Sequence, residues 1–345
     1  MINVGICACG AIAKHRHTPE YAQNAAVRIA GYYDPVKPRA LALAAQYGGR
    51  VYDSPADLFA DADIDAVSIC APNTHHAAYT VNAAKEKKHV LCEKPMATTA
   101  AECEAMIAAA KENGVKLMIA QNQRLAPAHV TAKQLLQNGD IGDVLTFRTI
   151  FGHSGPENWC ADCTAETWFF NREEAFTGSL GDLGVHKIDL LRWLFNAEVC
   201  AVQAVMKTMY KQRQLKRPVD VEDNAIALLE FDNHAVGTLA ASWTCFGEEV
   251  NSTSVYGTQG VLQIYTRLDF PLVLVKKDGT QVLYRLGGVT ANKEQRTTGI
   301  IDAFISAIRD DTPPPVSGED GYKTIKSIFA IIEAAKTGRR VYITP

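Results

Sequence analysis

Residues 2–15, "INVGICACGAIAKH", pass from an apolar run into small residues and then into a helical pattern. Ala8, Gly10 and Ala13 stand at the three positions where a dinucleotide-binding turn needs a tight bend, close approach of the pyrophosphate, and close packing of helix on strand. The glycine that the phosphates need most is present, alanine at the third position is a known variant, and Ala8 adds one methyl group at the tight bend. These residues predict a phosphate-binding turn, with a plain strand-to-helix turn as the alternative.

An acidic residue further along the chain favours the phosphate-binding turn. Asp34 in "IAGYYDP" follows Gly10 by 24 residues, at a predicted strand end, where a carboxylate accepts hydrogen bonds from the adenosine ribose. Because a carboxylate repels a 2′-phosphate, the sequence predicts NAD over NADP, although Lys37 and Arg39 lie near enough to weaken that preference. The segment "GAIAKH" lacks the G-K-[ST] of a P-loop, so a nucleoside triphosphate is disfavoured.

Up to about residue 120 the chain alternates short β-branched runs with alanine-rich helical stretches. This alternation is typical of βαβ units and of a parallel sheet that is buried on both faces. The predicted strands end at Asp34, Pro72, Lys94 and Asn122, which would all lie at one edge of the sheet. In open α/β folds that edge is where ligands bind.

From about residue 123 the pattern changes to runs such as "DVLTFRTIFGH", "NAIALLEFDN" and "AVGTLAASWTCF", with one strong helix at "VHKIDLLRWLF". This pattern predicts an α+β domain with a large, mainly antiparallel open sheet. We expect two domains, 1–121 and 122–345, and a final helix at about 320–337 that is free to pack back on the first domain.

Composition limits the classes of function. With 345 residues, of which 47% are hydrophobic and 21% charged, the chain is long enough for two globular domains. A formal charge of −3 gives no basic surface for nucleic acid. No apolar run approaches the ~20 residues of a membrane span, and the first residues lack the pattern of a secretory signal. We therefore expect a cytoplasmic protein without nucleic-acid or membrane partners.

Nine cysteines, an odd number scattered through apolar segments, fit reduced core thiols better than a disulfide framework. Cys7 and Cys9 flank the opening turn, but C-x-C lacks the spacing of a redox C-x-x-C. Cys160 and Cys163 have the spacing of half a zinc site, with His153 upstream, yet no second pair follows at the spacing of a zinc ribbon. We expect no bound metal.

Three longer stretches resemble the Gfo/Idh/MocA family of oxidoreductases: "SICAPNTHH" ending at residue 76, "VLCEKPMATTAAE" at 90–102 and "GSLGDLGVHKIDLLRWL" at 178–194. "YGTQGVLQI" and "PPPVSGEDGYKTI" resemble later segments of the family, so the resemblance covers nearly the whole chain. It implies a Rossmann domain followed by a C-terminal domain whose open sheet usually forms the oligomer interface. A homo-oligomer, either a dimer or a tetramer, is therefore expected.

The resemblance also implies a catalytic set, Lys94 of the E-K-P motif with Asp182 and His186 of the D-x-G-x-H motif. These residue types suit oxidation of a secondary alcohol, which needs a base for the hydroxyl proton and a positive group beside the developing alkoxide. His186 is the expected base and Lys94 is expected to polarise the oxygen. Asp182 shares a helix face with His186, where we expect it to hold a substrate hydroxyl and keep the imidazole basic. Taken singly, the three also fit a solvated lysine, a capping aspartate and a histidine at the edge of the core.

The expected cofactor contacts come from the opening turn and from the strand ends. They are Ala8, Gly10, Ala11, Ile12, Asp34, Pro72, Asn73, His76, Glu93 and Lys94.

For the substrate, the resemblance implies Asn122 and Arg124, although Leu125 and Ala126 depart from the aromatic and acidic residues that usually follow. A second group of polar and aromatic residues precedes the catalytic helix. Tryptophan there suits stacking on a sugar ring, with amides and an arginine bonding its hydroxyls, and core packing is the alternative. This group consists of Asn158, Trp159, Trp168 and Arg172.

Together these features predict an NAD-dependent oxidoreductase that transfers a hydride between nicotinamide and a secondary hydroxyl of a sugar, glycoside or polyol. Two alternatives remain open. One is a redox-neutral enzyme that cleaves glycosides and uses bound NAD transiently, and the other is a non-catalytic regulator that binds the cofactor. The intact set of Lys94, Asp182 and His186 argues against the regulator, while Ala8 argues weakly for it.

Overall fold

A computed structural model describes residues 1–161, 163–286 and 298–344 of the chain. Two sheets dominate these residues, and the six strands of the first are all parallel, in the order β3-β2-β1-β4-β5-β6. The parallel sheet confirms the βαβ prediction. Its strands are β1 Ile2–Cys7, β2 Val27–Tyr33, β3 Arg50–Val51, β4 Ala66–Ile69, β5 His89–Cys92 and β6 Leu117–Ile119.

Helices cover both faces of the first sheet, which is why strands such as β4 are buried along their whole length. Side-chain caps begin two of these helices: Ser54 accepts a hydrogen bond from the backbone of Asp57, and Thr99 forms a capping box with Glu102. The helices formed by the first part of the chain are α1 Thr18–Gln23, α2 Lys37–Tyr47, α3 Pro55–Ala60, α4 His76–Lys85 and α5 Ala100–Asn113.

The second sheet has nine strands in the order β14-β13-β12-β11-β7-β10-β9-β8-β15. All neighbours are antiparallel except β7 and β10, so the predicted large, mainly antiparallel sheet is confirmed. Its strands are β7 Val144–Gly152, β8 Val199–Lys207, β9 Asn224–Phe231, β10 Val236–Ser242, β11 Val250–Gly257, β12 Gly260–Ile264, β13 Leu272–Lys276, β14 Gln281–Tyr284 and β15 Val341–Tyr342.

Helix α8 is the central helix of the second half, buried along one face of the nine-stranded sheet. A π-helical turn, Leu180–Gly184, leads into it and carries the D-x-G part of the D-x-G-x-H motif. The helices of this half are α6 Pro127–Gln137, α7 Arg172–Ala175, α8 Val185–Phe195, α9 Lys211–Leu215, α10 Ile300–Arg309 and α11 Gly318–Thr337.

The last two helices return to the first sheet. Ile300, Ile301 and Phe304 of α10 belong to the same apolar cluster as residues of β1 and β2. Helix α11 lies against α5, where the hydroxyl of Tyr322 donates a 2.8 Å hydrogen bond to Glu104. The same helix also packs on β8, so it joins the two sheets.

The outer face of the nine-stranded sheet carries an exposed apolar patch in the single chain. Val205 and Ile226, which pair across β8 and β9, are 58% and 60% exposed. Ile226 is in register with Ala240 of β10, and Ala240 with Ile150 of β7, so the same face continues across four strands. Their neighbours in sequence, such as Ala225 and Ala227, face the buried side.

Buried histidines make the stability of this fold depend on pH. Nδ1–H of His129, in α6, donates a 2.7 Å hydrogen bond to the carbonyl of Gln123. Burial, reinforced by the charge of Lys187, lowers the pKa of His129 from 6.5 to about 3. As the pH falls below 6.5, His129 is therefore protonated in the unfolded chain but stays neutral in the folded chain.

We expect this histidine to lower the free energy of unfolding by about 1.4 kcal/mol per pH unit between pH 6.5 and pH 3. Urea unfolding of the wild type and of His129→Gln at pH 7 and pH 5 isolates the effect, because glutamine keeps a donor without the titration. The wild type should lose about 2 kcal/mol more than the variant over that interval. Equal losses would contradict the assignment.

Candidate active site

The strand ends of the first sheet face the residues around α8 and β11 across one cavity of ≈ 860 Å³. Its wall contains most of the residues expected from the sequence, although they lie far apart along the chain. Those present are Ala8, Gly10, Ala11, Ile12, Asp34, Pro72, Asn73, Glu93, Lys94, Asn122, Trp159, Trp168, Asp182 and His186.

The opening turn has the form that a pyrophosphate site requires. A Cβ atom placed on Gly10 would meet no atom within 4 Å, so the backbone there borders open space at the start of the first helical segment. Ala8 adopts a left-handed φ of 74°, and its amide donates a 2.7 Å hydrogen bond to the carbonyl of Tyr33 at the end of β2. The residues present therefore fit a dinucleotide, with Ala8 bearing the conformation that glycine normally supplies.

The left-handed conformation of Ala8 predicts a stabilising substitution. A residue with a side chain costs about 1–2 kcal/mol of folding free energy in the left-handed region, and substitution by glycine relieves this strain. Part of the gain in stability is offset because glycine adds conformational freedom to the unfolded chain. We expect Ala8→Gly to raise the free energy of unfolding by about 0.5–1 kcal/mol. Ala13→Gly is the matched control, because Ala13 is helical and buried and its replacement should destabilise by about 1 kcal/mol. If both variants lost stability in urea unfolding, the strain at Ala8 would be disproved.

Asp34 connects the opening turn to the end of β2. One carboxylate oxygen accepts a 2.6 Å hydrogen bond from the backbone of Cys9, and the other accepts from the backbone of Val36 at 2.7 Å. Arg39 approaches the same carboxylate at 3.8 Å and also lines the cavity. Lys37 instead pairs with Asp53 at the surface, so of the two cations noted in the sequence only Arg39 borders the cavity.

Lys94 and Asp182 meet across the two halves of the molecule. The ammonium group of Lys94 lies 3.1 Å from the Asp182 carboxylate and donates a 2.8 Å hydrogen bond to the Asp182 backbone carbonyl. Trp243 donates to the second carboxylate oxygen at 3.0 Å, and His153 lies 3.6 Å from that oxygen. Burial alone would raise the pKa of Asp182, but Lys94, His153 and Trp243 together hold it well below its usual value. The carboxylate is therefore ionised at neutral pH.

His186 follows Asp182 by one helical turn and lies in the same cavity wall. Its buried Nδ1 has no hydrogen-bond partner among the described residues. Burial, followed by the charge of Lys94, lowers the pKa of His186 well below 6.5. The imidazole is therefore neutral and able to accept a proton, while the nearby charges of Glu93 and Asp182 partly oppose the lowering of its pKa.

Glu93 connects the cavity wall to the first helical segment. Its carboxylate is bonded to Nε2 of His17 at 2.9 Å, and Nδ1 of His17 lies 3.0 Å from the hydroxyl of Ser68. The hydroxyl of Tyr21 completes this buried chain at 2.8 Å from Ser68. Despite burial, the hydrogen bond from His17 and nearby positive charges lower the pKa of Glu93 to about 2. This network fixes the strand end that carries Lys94.

Two arginines expected at the substrate are placed elsewhere. Arg124 forms two 2.7 Å hydrogen bonds to the carboxylate of Asp189 in α8, and its side chain does not line the cavity. Arg172 donates to the carbonyl of Asp220 at 2.7 and 3.0 Å and also lies outside the wall. Both guanidinium groups therefore serve as structural donors within the protein and do not reach the substrate side of the cavity.

The structure also corrects the expectations for His76 and Asn158. His76 is 1% exposed, with its two ring nitrogens 2.8 and 2.9 Å from the carbonyls of Pro95 and Ala71. Its ring is hydrogen-bonded to the loop after β5 and does not line the cavity. The amide of Asn158 donates to Ser154 within its own loop, at 3.1 Å to the hydroxyl, and Asn158 is absent from the wall.

Aromatic side chains form another part of the wall. Trp168 stacks on Phe169 at a centroid distance of 3.9 Å, and Trp159 meets the edge of the same phenylalanine at 5.0 Å. Both tryptophans border the cavity, and the buried Nε1 of Trp159 has no partner among the described residues. An unpaired indole donor beside an aromatic surface suits a ligand with ring faces and hydroxyl groups.

Sequence reasoning missed several residues of the wall. Arg16 comes from the π-helical turn Ala13–His17. Glu249 immediately precedes β11, and Asn251 is the second residue of that strand. Asn251 occupies an inward position of an alternating strand, and that polar residue was the available sequence signal. Nothing in the sequence marks Arg16, because its position depends on the π-helical turn.

Cys160 and Cys163 do not form a metal centre with other described residues. Within residues 1–161, 163–286 and 298–344, no group of three or more His, Cys, Asp or Glu side chains is placed to hold a metal ion. The thiol of Cys163 lies 3.2 Å from the carbonyl of Cys160, and all nine cysteines are free.

No helix among the described residues has the length and hydropathy to cross a membrane.

Comparison with known proteins gives matches over most of the chain. Residues 2–121 match the model of an oxidoreductase family with an NAD-binding Rossmann fold, and residues 129–263 match the GFO/IDH/MocA C-terminal domain. The levoglucosan dehydrogenase of Pseudarthrobacter phenanthrenivorans is 33% identical over 80% of this chain and 79% of its own length. The inositol 2-dehydrogenase of Acidothermus cellulolyticus is 26% identical over 100% of this chain and 95% of its own.

Among solved structures, a levoglucosan dehydrogenase in complex with NADH and levoglucosan superimposes with a TM-score of 0.87 at 28% identity, covering 100% of both chains. The match includes both sheets of this chain. The matched family models, the related sequences and this structure agree with one another. The chain therefore belongs to the Gfo/Idh/MocA family of oxidoreductases, which carry an NAD-binding Rossmann domain.

Proposed function

We propose that this protein is an NAD-dependent oxidoreductase that transfers a hydride between nicotinamide and a secondary hydroxyl of a sugar, glycoside or polyol. The observation that carries the proposal is the meeting of Lys94, Asp182 and His186 in a cavity that the Gly10 turn and Asp34 also border. A dinucleotide site and an acid-base set thus share one space. Membership of an NAD-binding oxidoreductase family supports the same conclusion.

In the proposed mechanism, the neutral imidazole of His186 takes the proton of the substrate hydroxyl. The Lys94 ammonium stabilises negative charge on that oxygen as the proton leaves. Asp182 holds Lys94 in place, because its carboxylate and its backbone carbonyl both accept hydrogen bonds from the ammonium group. The carboxylate is itself held by Trp243, so the lysine is positioned before substrate arrives.

Bound NAD would supply the hydride acceptor for this chemistry. The turn at Ala8 and Gly10 would hold its pyrophosphate, and Asp34 would accept from its adenosine ribose. Pro72, Asn73 and Glu93 line the rest of the wall on the side of the first sheet. These assignments rest on the open space at Gly10 and on the two strand ends that border the cavity.

We further propose that NAD is preferred over NADP. The Asp34 carboxylate would repel a 2′-phosphate. Arg39 forms an ion pair with that carboxylate at 3.8 Å, so its positive charge is already partly neutralised. Titration with NADH and NADPH, after removal of any retained cofactor, tests the preference through nicotinamide fluorescence. Micromolar binding of NADH with at least tenfold weaker NADPH is the expected result, and equal binding of the two would contradict it.

A neutral polyhydroxylated substrate fits the polar and aromatic wall. Asn122 and Trp159 each present a buried polar atom without a partner among the described residues, and Trp168 adds aromatic surface. The related levoglucosan and inositol dehydrogenases act on molecules of this class. Incubation with NAD⁺ and either levoglucosan, myo-inositol or D-glucose, with absorbance of NADH at about 340 nm as the readout, provides a direct screen.

We propose that the protein is a cytoplasmic homo-oligomer built from two domains, 1–121 and 122–345. The apolar face around Val205 and Ile226 supports oligomerisation, because an exposed patch that spans several strands needs cover. The nine free cysteines support a reducing compartment. Light scattering on the purified protein tests the assembly, for which a monomer mass would be the contrary result.

A further inference from the structure

Asn251 occupies a fixed position in the cavity wall that the proposed mechanism leaves unused. It is the first inward-facing residue of β11 and stands directly opposite Phe151 of β7, which also lines the cavity. The side chain is 8% exposed. Because the neighbouring inward residue, Thr253, is hydrogen-bonded to Thr149 on β7, this part of the strand is held firmly in the sheet.

Neither polar atom of the Asn251 amide is hydrogen-bonded by a residue that the structure describes. Oδ1 and Nδ2 are both buried, and neither has a partner among the described residues. An unpaired buried donor or acceptor costs about 1–3 kcal/mol, so an amide that lacks both partners is unusual. Asn73 in the same wall gives the contrast, since its Nδ2 donates a 2.8 Å hydrogen bond to the carbonyl of Ala175. Asn251 therefore offers the cavity wall one donor and one acceptor that no described residue uses.

Glu249 adds a second group to the same end of β11. Glu249 lines the cavity two residues before Asn251, and no hydrogen bond from a described residue acts on its carboxyl group. Burial raises its pKa, while the charges of His153 and Arg16 lower it by smaller amounts. A carboxylate in this position is an acceptor for hydroxyl groups.

A buried lysine lies behind this wall. Lys187 is fully buried beside His186, donates a 3.3 Å hydrogen bond to Thr253 and lies 5.9 Å from the ring centroid of Phe151. Burial lowers the pKa of Lys187 to about 7. Its contacts tie α8, which carries His186, to the strand that carries Asn251. The two therefore keep a constant separation, as recognition of a substrate at two points requires.

The donor and acceptor of one amide match a pair of hydroxyl groups on neighbouring carbons, where one hydroxyl donates and the other accepts. Glu249, two residues from Asn251 in the same wall, favours a neutral ligand over an anionic one at this position. We propose that Asn251, assisted by Glu249, binds a vicinal hydroxyl pair of a neutral sugar or polyol at carbons other than the one oxidised beside Lys94 and His186. This inference rests on the proposed function.

Asn251→Leu tests the subsite, with Ser252→Ala as the matched control on the opposite face of the same strand. Calorimetric titration of the protein–NADH complex with levoglucosan, myo-inositol and D-glucose gives the affinities. We expect Asn251→Leu to lower the affinity for the tightest-binding of these ligands by about 10- to 100-fold, with the affinity for NADH unchanged within threefold. A deoxy analogue that lacks the recognised hydroxyl should bind the wild type more weakly by a similar factor. The same analogue should bind the variant almost as well as the parent ligand does.

Stability separates a binding role from a structural one. Replacing an unsatisfied buried amide by an apolar side chain of similar size should leave the ligand-free protein at least as stable as the wild type. Loss of stability in Asn251→Leu, or unchanged discrimination between the parent ligand and its deoxy analogues, overturns the subsite.

The outcomes also separate this inference from the proposed function. If the wild type oxidises a compound with NAD⁺ but Asn251→Leu binds it as well as the wild type does, only the subsite fails. If the wild type binds a compound without oxidising it and the variant loses that binding, the subsite stands and the oxidoreductase function fails. If the wild type–NADH complex binds none of the three, both are overturned.

Discussion

Replacing Lys94 with methionine is expected to lower kcat by about 10²- to 10⁴-fold. Methionine keeps most of the length of the side chain but removes the positive charge that stabilises the substrate oxygen during hydride transfer. The loss should fall on kcat more than on KM, because this interaction strengthens as charge develops on the oxygen. Steady-state rates with NAD⁺ and the best substrate of the screen give the measurement.

Lys94→Met also leaves the buried Asp182 carboxylate without its strongest partner, so its stability must be measured in parallel. Adding Asp182→Asn removes that charge and should restore stability without restoring kcat. Lys88→Met is the matched control: Lys88 is 6% exposed and donates to the carbonyls of Asp61 and Ile64, outside the cavity wall. Near-normal turnover in Lys94→Met would refute the role of Lys94, whatever its effect on stability.

Substitution of His186 by glutamine is expected to produce a loss of similar size, about 10²- to 10⁴-fold, because glutamine cannot accept the hydroxyl proton. The wild type carries a second signature. Since burial and Lys94 hold the pKa of His186 well below 6.5, the imidazole is already neutral at pH 6. The base is active in its neutral form, so kcat/KM should not fall through titration of this group between pH 8 and pH 6.

The pH profile and the variant test His186 separately. An inflection in wild-type kcat/KM near pH 6.5 that disappears in His186→Gln would contradict the lowered pKa. Retention of most activity in the variant would contradict the role as base. His75→Gln is the control, since His75 is exposed on the loop before α4, stacked on Tyr79 and outside the cavity wall.

The main sheets followed from the sequence because their strands carry strong local signals. Buried β-branched runs with helical segments between them predict parallel strands wherever they occur. The two-residue strands β3 and β15 are too short to give such a signal. Helix α10 was missed although the apolar residues of Ile300–Arg309 have helical spacing; what the sequence does not reveal is that this apolar face belongs to the core of the first sheet. That partnership is tertiary, and composition near residue 300 does not encode it.

The candidate site divides in the same way. Gly10, Asp34 and Lys94 were predictable because parallel strands end at a common edge, which brings their following residues together. Arg124 was not, because its partner Asp189 lies 65 residues away and two hydrogen bonds turn the guanidinium from the cavity into the core. Asn251 was missed because its significance lies in the absence of partners among the described residues, which only three-dimensional contacts reveal.

Hydride transfer itself is the most direct test of the central claim. A sugar or polyol from the screen, deuterated at the carbon that bears the reacting hydroxyl, would be incubated with the protein and NAD⁺, and the NADH analysed by mass spectrometry. We predict one deuterium per NADH formed, with the transfer lost in Lys94→Met and His186→Gln but kept in Lys88→Met. NADH that formed without deuterium, or label that appeared equally with both active-site variants, would contradict the assignment of this cavity as an oxidoreductase site.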